Sequence, residues 1–92
     1  MIRFTVVWRR HTLADLASTW LNSSDRSAVT IAAAQIERLL RADPTHSATE
    51  VSEGLWGLSR PPLRILFTVN EADRLVEVVM IRIAATDDTT TA

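Results

Sequence analysis

The 92-residue chain contains no cysteine, no lysine and no tyrosine. Without cysteine there can be no disulfide, no thiolate catalysis and no cysteine-bound zinc. All ten basic residues are arginines, and eleven acidic residues leave a formal net charge of −1. A nucleic-acid-binding domain usually carries a positive excess, because phosphate contacts supply most of its affinity. Any nucleic-acid role of this chain therefore requires a local cluster of arginines.

Long apolar runs are also missing from the sequence. No segment approaches the roughly 18 residues that cross a bilayer, so no membrane partner is predicted. The apolar stretch at the N-terminus is too short for a secretory signal, and we therefore expect a cytoplasmic protein. Apolar residues make up 47% of the chain, which is ordinary for a globular domain and too high for a disordered one. The sequence predicts one domain over residues 1–84 and a flexible tail over residues 85–92.

The spacing of apolar residues predicts the elements of this domain. A period of two and a richness in β-branched residues indicate strands at 2–8, 63–69 and 75–83, and the short apolar segment 54–59 is predicted to be a further strand. Helical spacing indicates helices at 13–21 and 25–42, with N-cap signals at Thr12 and in the segment 22–25. The polar segment 43–53 is predicted to be an irregular connection, and residues 70–74 to be a turn.

This order predicts an α+β fold with the sequence β-α-α-β-β-β. The short connection between the helices favours a helical hairpin, and the short loops between the last three strands favour an antiparallel meander. The helices must cover one face of the sheet, because no other element is available to bury it. The side chains that we expect to be buried together are Leu16, Trp20, Ile36, Leu40, Ile65, Phe67 and Val79.

Three segments, taken in order, resemble the RelE/ParE family of type II toxin–antitoxin toxins. The stretch FTVVWRRHTLADLASTWL is similar to the family's opening strand and first helix, and IERLLRADP is similar to the end of its second helix. The stretch PPLRILFTVNEADRLVEVVMI is similar to the central hairpin, in which an arginine begins a strand and an acidic turn follows. The resemblance covers roughly residues 3–83.

The resemblance implies a small twisted antiparallel sheet with two helices packed on one side and an antitoxin as partner. Ribonuclease members of the family cleave messenger RNA bound in the ribosome, whereas ParE-like members poison DNA gyrase. A non-toxic interaction module on the same fold is a further alternative, and homodimer formation is left open. The weak charge of the chain counts against the ribonuclease.

The resemblance also implies candidate catalytic residues, which are Arg64, Arg82 and Arg60. Ribonuclease members place basic side chains, and often a late tyrosine, on the open face of the sheet, where they stabilise charge at the phosphate and move a proton. Arg64 matches the arginine that opens the third strand of the family, whereas Arg60 and Arg82 match only approximately. Residues that are not basic stand at other active positions of the family, namely Gly57, Leu58, Ala84 and Ala85. The implied ribonuclease site is therefore degenerate.

Arg64 has two interpretations from sequence alone. Strand alternation turns it away from Ile65 and onto the face of Leu66. It is either a solvated residue paired with Glu77, or a contact for a phosphate or for a carboxylate of a partner. Pairing across a five-residue turn would place Arg82 beside it on the same face, and a slip of one residue would separate the two arginines.

The two histidines do not predict a metal site. His11 and His46 each lack a second ligand at a suitable spacing, since one His–Asp pair is not a metal site. The two glycines match no phosphate-binding loop. The sequence therefore predicts neither a metal ion nor a cofactor.

Overall fold

The computed structural model describes residues 3–83, and the tail predicted at 85–92 lies outside the described residues. The elements in chain order are β1 (Thr5–Trp8), α1 (Arg10–Asn22), α2 (Arg26–Ala42), β2 (Thr49–Ser52), β3 (Leu55–Arg60), β4 (Leu63–Asn70) and β5 (Leu75–Ile83). The predicted order of one strand, two helices and a run of strands is confirmed, with one additional strand. Neither helix is long and apolar enough to cross a membrane.

The strands form a five-stranded sheet in the order β1-β5-β4-β3-β2. The strands from β2 to β5 pair antiparallel with their chain neighbours, so the predicted meander is confirmed. β1 instead pairs parallel with β5, which makes the sheet mixed where the sequence led us to expect an antiparallel one. The parallel pairing arises because the chain leaves β1 through both helices and returns beside it only with β5.

The additional strand is β2, which lies inside the segment predicted to be irregular. All four of its residues are exposed, and it forms one edge of the sheet. With neither face buried, its sequence TEVS needs no apolar alternation, so the usual strand signal is missing. Gly54, with φ of 78°, turns the chain back into β3, and its N–H donates to the Glu50 carboxylate at 3.0 Å.

The core lies between the helices and one face of the sheet. α2 packs on β1, β3 and β4, while α1 packs on β5 and on α2. The α2 side chains that face the sheet are spaced by three or four residues, as an amphipathic helix requires. The buried core residues are Val29, Ala32, Ile36, Leu40, Leu58, Leu63, Ile65, Phe67, Val76, Val78 and Ile81.

The predicted core is correct at its centre and wrong at its margin. Four of the seven predicted residues, in α2 and β4, are fully buried, and Leu16 packs half-buried against them. Trp20 is 39% exposed, because its indole lies across the helical hairpin and donates to Thr30 Oγ1 at 3.1 Å. Val79 is only half-buried, because it is the extra residue of a β-bulge, and the next residue of β5 after Val78 to enter the core is Ile81.

The two predicted N-caps have different outcomes. α1 begins at Arg10, and Thr12 is fully buried within the first turn instead of capping it. α1 starts earlier than the predicted residue 13, because Arg9 is the last extended residue and the helix begins directly after it. The backbone N–H of Arg9 donates to Val78 O of β5 at 3.3 Å. At the second helix, the Asp25 carboxylate caps α2 by accepting from the Ala28 N–H at 3.1 Å.

The cap of α2 can be tested by substitution. Asp25→Ala should lower the free energy of unfolding by about 1 kcal/mol, because a backbone donor of the first turn loses its acceptor. Asp25→Asn keeps a capping oxygen and should stay within about 0.5 kcal/mol of the wild type. Urea unfolding followed by circular dichroism measures both changes. Equal unfolding midpoints for Asp25→Ala and the wild type would show that the cap contributes nothing.

Candidate functional site

The sheet face turned away from the helices, which we call the open face, carries the candidate site. On this face Arg64 of β4 pairs directly with Arg82 of β5, and both side chains are exposed. Two residues further along each strand, Leu66 pairs with Met80. The two positions are separated by about 6.5–7 Å along each strand. The open face therefore presents two cations side by side, next to an apolar pair.

A β-bulge at Val79 decides that Arg82 faces the same way as Arg64. The register of the hairpin shifts between Leu66 and Phe67, so that Val79 is an extra residue on β5. One extra residue reverses the alternation of all side chains that follow it. With a regular ladder from the turn onward, Arg82 would face the helices and enter the core.

The turn itself is one residue shorter than predicted. Asn70 pairs with Leu75, so the hairpin turn spans residues 71–74. This is the slip that would have separated Arg64 from Arg82, and the bulge compensates for it. Arg64 and Arg82 are therefore neighbours on one face, as predicted, but a four-residue turn and a bulge bring them together instead of a five-residue turn.

An open groove of about 360 Å³ lies over the two arginines. We call it the two-arginine groove, and its lining residues are Val51, Arg64, Leu66, Met80 and Arg82. Val51 comes from β2, so the strand that the sequence did not predict supplies one wall. Neither Val51 nor Met80 carried a sequence signal for a site, because an exposed apolar residue on a strand is ordinary.

The Arg64 side chain leans over β3. Its Nη1 donates to Ser59 Oγ at 3.2 Å. Its Nη2 lies 3.0 Å from the place where a Cβ atom on Gly57 would stand, so the guanidinium rests against a residue without a side chain. This direction leads away from Arg82, as expected for two like charges at directly paired positions.

The groove arginines are not neutralised by any carboxylate within residues 3–83. The salt bridges found there join Arg9 to Glu77 at 2.9 Å and Arg41 to Glu37. The interpretation of Arg64 as a partner of Glu77 is therefore wrong. Glu77 lies opposite Thr68, nearer the turn, where Arg9 reaches it.

Arg60, the third candidate, lies outside the groove. It pairs with Leu63, whose side chain is fully buried in the core, so it belongs to the helix-facing side of the sheet. Its Nη1 donates to the carbonyl oxygen of Ser59 at 2.8 Å. The chain turns at Pro61–Pro62, and this two-residue connection places Arg60 on the opposite face from Arg64.

The histidines also stand apart from the groove lining. His11, in the first turn of α1, has its Nε2 3.2 Å from the carbonyl oxygen of Val79. His46 lies in the turn that follows α2, where its backbone N–H donates to the carbonyl oxygen of Asp43. Among residues 3–83, no group of three or more histidine, aspartate or glutamate side chains is arranged to hold a metal ion.

The contact between Arg64 and Gly57 can be tested directly. Gly57→Ala should displace the Arg64 guanidinium, because the new Cβ would lie 3.0 Å from Nη2. The free energy of unfolding should change by less than about 1 kcal/mol, since the far end of a flexible side chain gives way. The Nε–Hε signal of Arg64 in a ¹⁵N NMR spectrum reports the displacement.

Gly54→Ala is the matched control for this substitution. A Cβ at Gly54 would meet nothing within 4 Å, but φ of 78° strains any residue other than glycine. The control should lower the free energy of unfolding by about 1 kcal/mol and leave the Arg64 signal unmoved. An Arg64 signal that is unchanged in Gly57→Ala would contradict the packing described here.

The sequence matches no family model, and no curated protein is significantly similar to it. Solved structures are nevertheless similar in fold. A chain of the RelBE2 toxin–antitoxin complex from Mycobacterium tuberculosis has a TM-score of 0.75 at 16% identity, over 92% of this chain and 95% of that chain. A chain of the RelE–RelB complex from Pyrococcus horikoshii has a TM-score of 0.66 at 14% identity, over 94% and 99% of the two chains.

The isolated RelE toxin of E. coli is similar as well, with a TM-score of 0.66 at 11% identity over 96% of this chain and 92% of that chain. Each of these matches covers nearly the whole length of this chain and of the chain compared with it. At such low identities they establish the fold, and the chain has the RelE-like fold. The resemblance drawn from three sequence segments is confirmed at this level.

Proposed function

We propose that this protein is the toxin of a bacterial type II toxin–antitoxin pair, that it acts in the cytoplasm by binding, and that an antitoxin segment occupies the two-arginine groove. The RelE-like fold supports the toxin assignment. Two of the similar solved structures are RelB–RelE complexes, which supports an antitoxin as partner. Within residues 3–83 no carboxylate forms a salt bridge with the two cations on the open face, which supports the location of the contact.

The observation that carries the proposal is the chemistry of the groove lining. It consists of two guanidinium groups and three apolar side chains. Cleavage of RNA by its own 2′-hydroxyl needs groups that accept and donate a proton, and an arginine side chain does not lose its proton in proteins. The chain has no tyrosine or lysine to supply such a group. Among residues 3–83, the groove lining also contains no histidine or carboxylate, so this lining is suited to binding an anion and not to transferring a proton.

The same lining favours a peptide over RNA as the ligand. Proteins that bind single-stranded nucleic acid usually stack the bases on aromatic side chains, and no aromatic residue of the described range 3–83 lines the groove. The planar fork of donors on a guanidinium group matches a carboxylate as well as it matches a phosphate. The arginine pair and the apolar pair are separated by two strand residues, about 6.5–7 Å. An extended segment with an acidic residue and an apolar residue two positions apart presents both groups at this spacing.

Inducible expression in a bacterium tests the proposed function. Expression should arrest growth, and co-expression of the reading frame immediately beside this one should relieve the arrest. Messenger RNA should remain intact throughout. Plasmid supercoiling is followed in the same cultures, and a change in it would identify DNA gyrase as the target of a ParE-like action.

Two outcomes would contradict the proposal. Ribosome-dependent cleavage of messenger RNA that is abolished by Arg64→Ala would show a working ribonuclease site. Normal growth under strong expression would show that the protein is a non-toxic interaction module on the same fold.

The ligand chemistry can be tested in vitro with short probes. A capped hexapeptide with glutamate and leucine two positions apart should bind the purified protein. The same peptide with glutamine in place of glutamate should bind at least roughly fivefold more weakly, because the charge-assisted hydrogen bond is lost. A single-stranded RNA hexanucleotide that binds more tightly than the glutamate peptide would overturn the preference for a peptide.

A further inference from the structure

The segment Arg9–His11, at the start of α1, contacts β5 at the position of the bulge. The Arg9 side chain donates to the Glu77 carboxylate at 2.9 Å, and the Arg9 backbone N–H donates to Val78 O at 3.3 Å. His11 Nε2 lies 3.2 Å from the carbonyl oxygen of Val79. Three consecutive residues of β5 are thus contacted by a segment of three residues, and the contact made by His11 falls on the bulged residue itself.

This contact lies where the parallel pairing with β1 ends. Trp8, the last residue of β1, pairs with Val78, so no strand from the described part of the chain lies beside the following residues of β5 on this side. The carbonyl oxygen of Val79 faces this unpaired edge, and the His11 ring supplies its hydrogen-bond donor. Because a carbonyl oxygen only accepts, this hydrogen bond requires the Nε2–H form of the His11 ring, and Thr12 Oγ1 lies 3.5 Å from the same nitrogen.

Core packing requires a bulge in β5 but does not decide which residue is bulged. Val78 and Ile81 both face the core, which leaves one residue too many between them for regular alternation. With Val79 as the bulged residue, Met80 pairs with Leu66 and lines the groove. If Met80 were the bulged residue instead, Val79 would pair with Leu66 and the groove would lose its methionine.

We infer that His11 is a positioning residue of the two-arginine groove, because its hydrogen bond to Val79 O holds the bulge at Val79 and so keeps Met80 in the groove lining. The inference rests on the proposed function for the ligand of the groove. The role of His11 in the strand register is independent of that ligand. The two therefore need separate measurements.

The register is measured by NMR without any ligand. In the wild type, a cross-strand NOE should join the backbones of Leu66 and Met80. In His11→Ala this NOE should weaken, and one between Leu66 and Val79 should appear. His11→Gln retains an N–H donor at a similar distance from the backbone and should keep the wild-type register.

His46→Ala is the matched control, since it removes the other histidine, far from the bulge in the chain, and should change neither NOE. A wild-type register in His11→Ala would overturn the inference. A register lost equally in His11→Gln would also overturn it, because the loss would then not depend on the donor.

Binding of the glutamate–leucine hexapeptide supplies the second measurement. His11→Ala should weaken binding roughly threefold to tenfold, the effect of one hydrogen bond, and His11→Gln should restore it to within about twofold. In a Met80→Ala background, His11→Ala should have no further effect, because the side chain that it positions is already gone. An equal loss in both backgrounds would show that His11 does not act through the bulge. If the wild type does not bind the peptide, the proposed ligand is wrong, and the NMR register still decides the role of His11.

Discussion

Phe67→Ala should lower the free energy of unfolding by roughly 3–5 kcal/mol. Phe67 is fully buried near the middle of β4, with Trp56 of β3 and Val78 of β5 at the paired positions on either side. The substitution removes the whole ring from a site enclosed by the sheet and the helices. The cost combines the lost transfer of apolar surface with the cavity that remains, because a packed core relaxes only in part.

This loss is large for a domain of this size. A stability of roughly 0.05–0.15 kcal/mol per residue corresponds to a total of about 5–14 kcal/mol for 92 residues. Urea unfolding, followed by fluorescence of the tryptophans, measures the change. Phe67→Leu keeps most of the volume and remains folded if the alanine variant does not, and it should lose less.

Thr68→Ala is the matched control for Phe67→Ala. It changes the next residue of the same strand, whose side chain is on the open face, and it should stay within about 0.5 kcal/mol of the wild type. A loss below about 1 kcal/mol for Phe67→Ala would show that the ring is peripheral. Such a result would contradict the assignment of the helix-facing side of β4 to the core.

Arg64→Ala should weaken binding of the partner, or of the glutamate–leucine hexapeptide, by about 1–3 kcal/mol, the range for a hydrogen bond to a charged group. Arg64 is exposed, and its described side-chain hydrogen bond goes to Ser59 Oγ. Its removal should therefore change the free energy of unfolding by less than about 0.5 kcal/mol. Removing one of two like charges at paired positions even relieves a small repulsion with Arg82.

Arg38→Ala separates this specific effect from a general effect of charge. Arg38 is an exposed arginine of α2, outside the groove, and its replacement changes the net charge by the same amount. Isothermal titration calorimetry with both variants gives the comparison. If Arg38→Ala weakened binding as much as Arg64→Ala does, the groove would not be the binding site.

The sequence by itself determined every element except the edge strand β2, and the centre of the core. Apolar residues at helical spacing define α2, and apolar residues at every second position from Leu63 to Val69 define β4, because these periods follow from the geometry of a single helix or strand. The outward direction of Arg64 follows from the same local rule, since its neighbours Leu63 and Ile65 are both buried. The N-cap at Asp25 is equally local, because donor and acceptor are three residues apart.

Only the tertiary structure decided what surrounds Arg64. The parallel pairing of β1 with β5, the edge strand β2 and the bulge at Val79 all depend on contacts between residues far apart in the chain, which local periodicity does not encode. Arg82 joins the groove because a four-residue turn and a bulge together keep it on the open face. Arg60 is excluded because a two-residue turn places it opposite a core residue. In a sheet, a single residue of register moves a side chain from one face to the other, so the composition of a site on one face is decided by pairing.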